Sequence, residues 1–287
     1  ALLGERLAAL RRGLAGTLAR NFRLDQWAVG LAAAPAERMA GEGLPAKILW
    51  LPEPGRWRFH ADPFARPRQD GGLDLLVETF DHRRGRGDLD WLTTDGNGSV
   101  TGTGPAIHRP EHQSYPYLFD WQGAVYCQPE TAAAGTSRRY RATAFPGQWR
   151  EEADAGLPAG LVDGTVFEHD GRWWLLGGLQ GRGARMQLYA WHAETPLGPW
   201  VPHARNPVRC DPRAARPGGR PFVDAGGAVI RPAQDCAAGY GRAVVLNRIT
   251  ALTPTEFAEQ AAGRLEPDPA GPYADGLHTL CPAGGWT

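Results

Sequence analysis

Short runs of alternating or wholly apolar residues, each stopped by a polar turn containing glycine, fill most of this chain, a pattern that predicts many short strands. Four segments share one plan: an extended stretch ending in phenylalanine, a polar turn, then an apolar strand. They run from Ala61-Asp62-Pro63-Phe64 through Asp70-Gly71-Gly72 to Leu73–Phe80, and from Tyr115–Phe119 through Asp120–Gly123 to Ala124–Cys127. The third runs from Asp163–Phe167 through His169-Asp170-Gly171 to Arg172–Leu176, and the fourth from Arg220-Pro221-Phe222 through Asp224–Gly227 to Ala228–Arg231. Two stretches depart from this plan. Leu3, Leu7, Leu10, Leu14 and Leu18 recur at helical spacing, so residues 1–22 are expected to form a helix or linker ahead of one domain at 23–287. Thr253-Pro254-Thr255-Glu256 reads as a capping box, predicting a late surface helix ended by Gly263.

The four phenylalanines stand at 64, 119, 167 and 222, in steps of 55, 48 and 55. A period of about 50 residues, each unit opening on a hairpin, marks propeller blades. The expected fold is all-β, a five-bladed β-propeller. Its fifth blade would combine a strand near Gln26–Leu31 with the segment near His278. A β-sandwich is the competing architecture.

Composition narrows the function. With 38 glycines and 25 prolines in 287 residues, long helical bundles are excluded. The 31 basic and 31 acidic residues cancel, which argues against a nucleic-acid partner held by phosphate neutralisation. No transmembrane segment is present, since no apolar run reaches the required length. Lys47 is the only lysine, an arginine bias that GC-rich coding produces, so single arginines carry little weight. The four cysteines lack metal-site spacing, and no signal peptide opens the sequence, so no metal is expected and a reducing, cytoplasmic compartment is. The Gly-rich stretches lack the strand–turn–helix frame of a phosphate loop. Eleven tryptophans suit both a β core and a sugar-binding surface.

In a propeller, equivalent points of successive blades converge on one funnel. The strand ends bring Asp62, Tyr115, Tyr117, Asp163, Arg216 and Arg220 there, and the returning strands bring Glu78, Glu130, Arg231 and Asp235. Glycoside hydrolysis needs two carboxyl groups flanking one bond, and this set supplies several.

Ala61-Asp62-Pro63-Phe64 and Val162–Phe167, the latter followed by Asp170-Gly171-Arg172-Trp173, resemble the first- and third-blade motifs of the arabinanase and β-xylosidase group, glycosidase family 43. A closer resemblance is to the N-terminal domain of plant glucosamine inositolphosphorylceramide transferases and its bacterial relatives beside sugar formyltransferases. Gln26–Gly30, His112–Pro116, Pro196–Trp200, Asn206–Val208, Ala215–Gly219, Arg231–Asp235 and Gly276–Thr279 carry it. The family 43 resemblance implies that Asp62 is the general base and that Asp163 orients the acid and tunes its pKa. The fourth-blade glutamate of that group is absent, because Ala215-Arg216-Pro217-Gly218 stands there. Glu130 is the substitute acid, with Glu78 and Asp235 in reserve. A fifth-blade histidine organises the funnel in that group, and His278 matches it, leaving room for a calcium ion.

The resulting expectation is a glycoside hydrolase-like enzyme of surface-polysaccharide or glycolipid metabolism. Its catalytic set is Asp62, Asp163 and Glu130. Its substrate-binding set is Glu78, His112, Tyr115, Tyr117, Arg216, Arg231, Asp235 and His278. The partner is a saccharide that carries an anionic group if Arg216 and Arg231 are free to bind one, and the chain is expected to be one domain of a larger protein. The alternatives are a non-catalytic glycan-binding domain of a biosynthetic enzyme, and a glycosyl transferase or phosphorylase.

Overall fold

The computed structural model describes residues 24–153, 156–181 and 183–287; the helix expected over residues 2–20 lies outside them. The described chain opens with β1 (Gly30–Leu31), the helix α1 (Ala36–Glu42) and β2 (Leu49–Trp50). Four antiparallel sheets come next in sequence order. Blade one is β3 (Arg58–Pro67), β4 (Leu73–Asp81), β5 (Arg86–Thr94) and β6 (Val100–Ile107). Blade two is β7 (Ser114–Trp121), β8 (Ala124–Glu130), β9 (Tyr140–Ala144) and β10 (Gln148–Glu151). Blade three is β11 (Leu161–His169), β12 (Arg172–Leu179), β13 (Gln187–Ala193) and β14 (Val201–Pro202), with β15 (Arg209–Cys210) also on β13. Blade four is β16 (Phe222–Val223), β17 (Val229–Asp235), β18 (Ala243–Leu252) and β19 (Phe257–Leu265).

The polar turns form for local reasons. Gln122-Gly123 and Asp170-Gly171 both place two successive residues at positive φ, the type I′ geometry that matches strand twist. Asp70, Asp95 and Asp224 instead accept backbone N–H groups two to four residues on, closing the other hairpins. One apolar cluster joins blades one to three through Phe64, Leu76, Tyr117, Leu118, Val166 and Leu175. Smaller clusters join blade three to blade four, including Trp174 against Val229 and Ile249.

Four blades are present among the described residues, not five. In the place expected for a fifth, β1 and β2 exchange only two residue pairs, and Thr287 exchanges backbone hydrogen bonds with Ala32. Prolines at 35, 45, 52 and 54, and at 267, 269, 272 and 282, remove the donors that longer ladders require. The segment still fills the gap: Ala34, Ala36 and Met39 pack on blade four, while Val29, Leu31 and Leu51 pack on blade one.

The late surface helix is also absent. Thr253 Oγ1 does accept the Glu256 N–H at 2.9 Å, but the turn it caps sends the chain into β19, paired along β18 from Leu252↔Phe257 to Val244↔Leu265. Glu259 explains the choice. Its carboxylate meets Arg231 at 2.6 and 2.9 Å and Arg209 at 2.6 Å, joining blades three and four. Arg231, expected to bind substrate, is instead buried and paired in this inter-blade tie. Arg220, at the turn end of the inner strands, donates to the carbonyls of Ala65, Leu118 and Pro282 and ties blades one and two to the C-terminal segment.

Removing one partner of a buried pair leaves an uncompensated charge. Glu259→Gln, which leaves buried Arg231 without its carboxylate and Arg209 with Asp211 alone, is expected to lose about 3 kcal/mol or more in denaturant unfolding. Arg66→Met, which breaks the exposed pair with Asp120, is expected to lose less than about 1 kcal/mol.

Candidate functional site

Three inner strands carry the same irregularity. The β3–β4 register shifts between Ala61 and Phe64, β7–β8 between Ser114 and Tyr117, and β11–β12 between Val162 and Thr165. Within each bulge one residue takes a left-handed backbone: Asp62 at φ 48°, Tyr115 at φ 46° and Asp163 at φ 50°. These three are the equivalent positions of the repeat. The phenylalanines are not, because Phe64 follows its bulge residue by two and Phe119 and Phe167 follow theirs by four. The bulges also set the partners: Glu78 lies opposite Ala61 and Glu130 opposite Ser114, so both returning glutamates reach the same level.

The side chains around this level form a buried cluster. Asp62 Oδ1 accepts from Thr279 Oγ1 and lies 3.0 Å from His278 Nε2. Asp163 is gripped by Arg216, whose Nε is 2.5 Å from Oδ2 and Nη2 3.3 Å from Oδ1. Gln234 Nε2 adds a third bond to Asp163 at 3.1 Å. Glu130 Oε2 lies 3.6 Å from Arg216 Nη2, too far for a hydrogen bond, and is a buried acceptor with no hydrogen-bond partner among the described residues. Glu78 sits beside Gly87, where a Cβ would stand 2.4 Å from its Oε1, so only glycine admits the carboxyl. His112 Nδ1 accepts the Gly87 N–H at 2.8 Å and lies 3.9 Å from Glu78. The His278 ring is flanked by Trp27 and Tyr240, with centroids 4.2 and 5.4 Å away.

The environments push these acids apart. Burial opposes ionisation of Asp62, but the charge and hydrogen bond of His278, the Thr279 hydroxyl and Arg216 outweigh it and hold its pKa below the usual carboxylate value. Burial drives Glu78 well above that value, and the charges of Asp62, Glu130 and Asp163 add to the shift. Burial likewise drives Glu130 well above it, reinforced by Asp163 and opposed by Arg216. Burial also lowers His112.

Four of the expected ligands thus reach the cluster or its edge beside the catalytic trio: Glu78, His112, Arg216 and His278, with Arg216 already paired. Tyr115 does not offer its hydroxyl. That group bonds Thr165 Oγ1 at 2.9 Å and the Gly219 N–H at 2.9 Å, bracing blades two, three and four. Tyr117 donates to the Val166 carbonyl at 2.6 Å and packs in the core. Asp235 is held by Arg264 at 2.7 Å and caps Ala237. Gln234, Thr279, Trp27 and Tyr240 were not singled out from the sequence. The first three lie inside motifs that did mark the site, and Tyr240 lies in an exposed hairpin loop with no such signal. His278 does not suit a calcium ion, which takes about six to eight oxygen ligands. Its Nε2 faces Asp62, its ring is enclosed by Trp27 and Tyr240, and no group of three candidate ligands occurs among the described residues.

A cavity of about 540 Å³ has Asp62, His278, Thr279 and Tyr240 in its wall and continues past Trp27 to Trp50 and Tyr273, through the gap left by the reduced fifth sheet. Glu78, Glu130, Asp163 and Arg216 lie outside its lining. No helix among the described residues is long and apolar enough to cross a membrane.

Comparison with known proteins places this arrangement. The family described as glucosamine inositolphosphorylceramide transferase 1, N-terminal, matches residues 55–266. The glucosamine inositolphosphorylceramide transferase 1 of Arabidopsis thaliana is 35% identical over 207 residues, covering 70% of this chain and 27% of the plant protein. That of Oryza sativa subsp. japonica matches to the same extent, so the chain spans about a quarter of the length of these relatives. Among solved structures, Zg3597, a family 117 glycoside hydrolase of Zobellia galactanivorans, aligns with TM-score 0.56 at 16% identity over 79% of this chain and 78% of its own. A GH130 structure, from a family of mannoside phosphorylases containing hydrolases of β-1,2-mannosidic linkages in Candida mannan, aligns with TM-score 0.56 at 14% identity, covering 79% and 80%. These likenesses establish the propeller-like fold that glycoside hydrolases share.

Linkage fixes how the cluster responds to pH. A carboxyl whose pKa is raised in the folded state contributes stability that is fully present below its unfolded pKa and lost as pH rises. Stability is therefore expected to decline from about pH 5 upward through the Glu78 and Glu130 titrations. Glu78→Gln and Glu130→Gln should each flatten that decline by up to about 1.4 kcal/mol per pH unit in denaturant titrations. Asp62→Asn should instead remove a stabilising contribution that is lost as pH falls through the lowered Asp62 pKa.

Proposed function

The chain belongs to the family of the glucosamine inositolphosphorylceramide transferase N-terminal domain, and from that membership and the buried carboxyl cluster we propose that it is carbohydrate-active, with a glycoside hydrolase-like mechanism. The feature that carries the reading is the split within the cluster: against the cost of burial, His278 and Thr279 lower the Asp62 pKa, whereas burial raises that of Glu130 well above the usual carboxylate value. Acid–base hydrolysis of a glycosidic bond needs that division of labour.

Asp62 acts as the base. Thr279 and His278 fix its carboxylate and leave the second oxygen to polarise water. Glu130 donates its proton to the leaving oxygen. Asp163 is the tuning residue: its charge raises the Glu130 pKa, and Arg216, which grips Asp163, limits the shift. The ligand is a saccharide. The inositolphosphorylceramide in the relatives' name favours a glycolipid context, although their transferase activity belongs to proteins of which this chain matches 27%.

Arg216 favours a second reading. Arginine stands where the family 43 pattern has its acid, and its grip on Asp163 also suits a domain that holds a glycan without cleaving it.

A screen on nitrophenyl glycosides and natural oligosaccharides separates the two. On the hydrolytic reading, Asp62→Asn lowers turnover about 10²–10⁴-fold with ligand binding retained. Glu130→Gln lowers it comparably on the natural substrate and less on the activated aryl glycoside, whose leaving group needs no proton. Equal losses on both substrates would move the acid role to Glu78. Absence of turnover, with glycan binding indifferent to Asp62→Asn, would establish the recognition reading.

A further inference from the structure

The anion-binding arginines expected from the sequence are occupied: Arg231 by Glu259 and Arg216 in part by Asp163. A different guanidinium shares an aromatic partner with Arg216. Arg185, in the connection between β12 and β13, lies 5.4 Å from the centroid of the Tyr240 ring, and Arg216 lies 5.1 Å from the same centroid. One tyrosine thus holds two guanidinium groups. Resting on the reading of the cluster as a saccharide site, we propose that Arg185 and Arg216, stacked on Tyr240, form a subsite for an anionic group, phosphoryl or carboxylate, carried by the saccharide.

The geometry supports this in three ways. Arg185 is exposed and, among the described residues, has no carboxylate within ion-pair distance, in a protein whose arginines are widely paired. Arg216 directs Nε and Nη2 to Asp163, and Nη1 takes no part in those bonds. Tyr240 lines the same cavity as Asp62 and His278, while the two arginines lie against its ring outside that lining, so an anion held by them would stand beside the cavity, next to a sugar seated at Asp62. The neighbouring acids do not forbid an anion. Asp62 and Asp163 are each already matched by a donor, and burial favours the neutral forms of Glu78 and Glu130. A planar guanidinium held on an aromatic face is pre-organised for bidentate oxygen pairs.

Binding can be read without turnover, so the result stands whatever the fate of the hydrolytic mechanism. The side-chain Nε–H signals of Arg185 and Arg216 would be followed by NMR at low salt during titration with glucose, glucose 1-phosphate, glucuronate, inorganic phosphate and acetate. Glucose 1-phosphate or glucuronate is expected to shift both signals and to bind at least about 10-fold tighter than glucose. That preference should shrink with added salt and survive the remote control Arg150→Gln. Arg185→Met, which keeps an apolar chain on Tyr240 but removes the charge, should bring the ratio of anionic to neutral affinity close to one, and Arg185→Lys should restore part of it. The proposal is overturned if no anion moves the Arg185 signal, or if glucose binds as well as its charged forms. It is also overturned if Arg185→Met weakens neutral and charged sugars equally, which marks a mere brace for Tyr240. Inorganic phosphate binding as tightly as glucose 1-phosphate would overturn it too, because the anion would then be a separate ligand.

Discussion

The candidate site depends on a backbone constraint repeated three times: a non-glycine residue held at positive φ inside the bulge of an inner strand. Each such residue costs about 1 kcal/mol or more relative to ordinary backbone. The bulge breaks the two-residue alternation of the strand, so the side chain turns into the centre instead of lying in a blade interface. Asp62 and Asp163 use this turn to carry charge inward. Tyr115 uses it to carry a hydroxyl that bonds blades three and four. The same device thus builds both the acidic cluster and the brace beneath it.

The strain persists because each bulge residue is fixed by bonds from elsewhere in the chain. Asp62 is held from the C-terminal segment by His278 and Thr279, over 200 residues away. Asp163 is held from blade four by Arg216 and Gln234, and Tyr115 by Thr165 and Gly219. At Gly219 a Cβ would stand 1.8 Å from the Leu280 carbonyl, so the closest crossing of blade four and the C-terminal segment requires glycine. Ring closure and site assembly are therefore one event. With the fifth sheet reduced to two residue pairs, the His278–Leu280 segment both closes the ring on blade four and positions the base.

The sequence displayed the repeat and the residues whose chemistry depends on position within it. Asp62, Asp163, Glu78 and Glu130 were legible because equivalent blade positions must converge, whatever the details of packing. The pairing of Arg231 with Glu259 and of Asp235 with Arg264 was not legible because facing direction in a strand changes with every residue, and no pattern in Arg231–Asp235 says that Gln234 is the member that reaches Asp163. The late helix failed for a related reason. Thr253–Glu256 does make its capped turn, but a cap fixes only the first bonds. The pairing of β19 with β18 and the buried Glu259 decide the course of the chain beyond that turn. The fifth blade was over-read because the prolines that interrupt its ladders also occur in ordinary turns.

Arg216 sets the electrostatics of the whole cluster. Four carboxyl groups around one small volume cannot all ionise without strong mutual repulsion. Here Arg216 pairs with Asp163 and His278 with Asp62, while burial favours the neutral forms of Glu78 and Glu130. The difference among the acids arises from where each finds its partner: Asp163 in blade four, Asp62 in the C-terminal segment, and Glu78 only the more distant His112, 3.9 Å away.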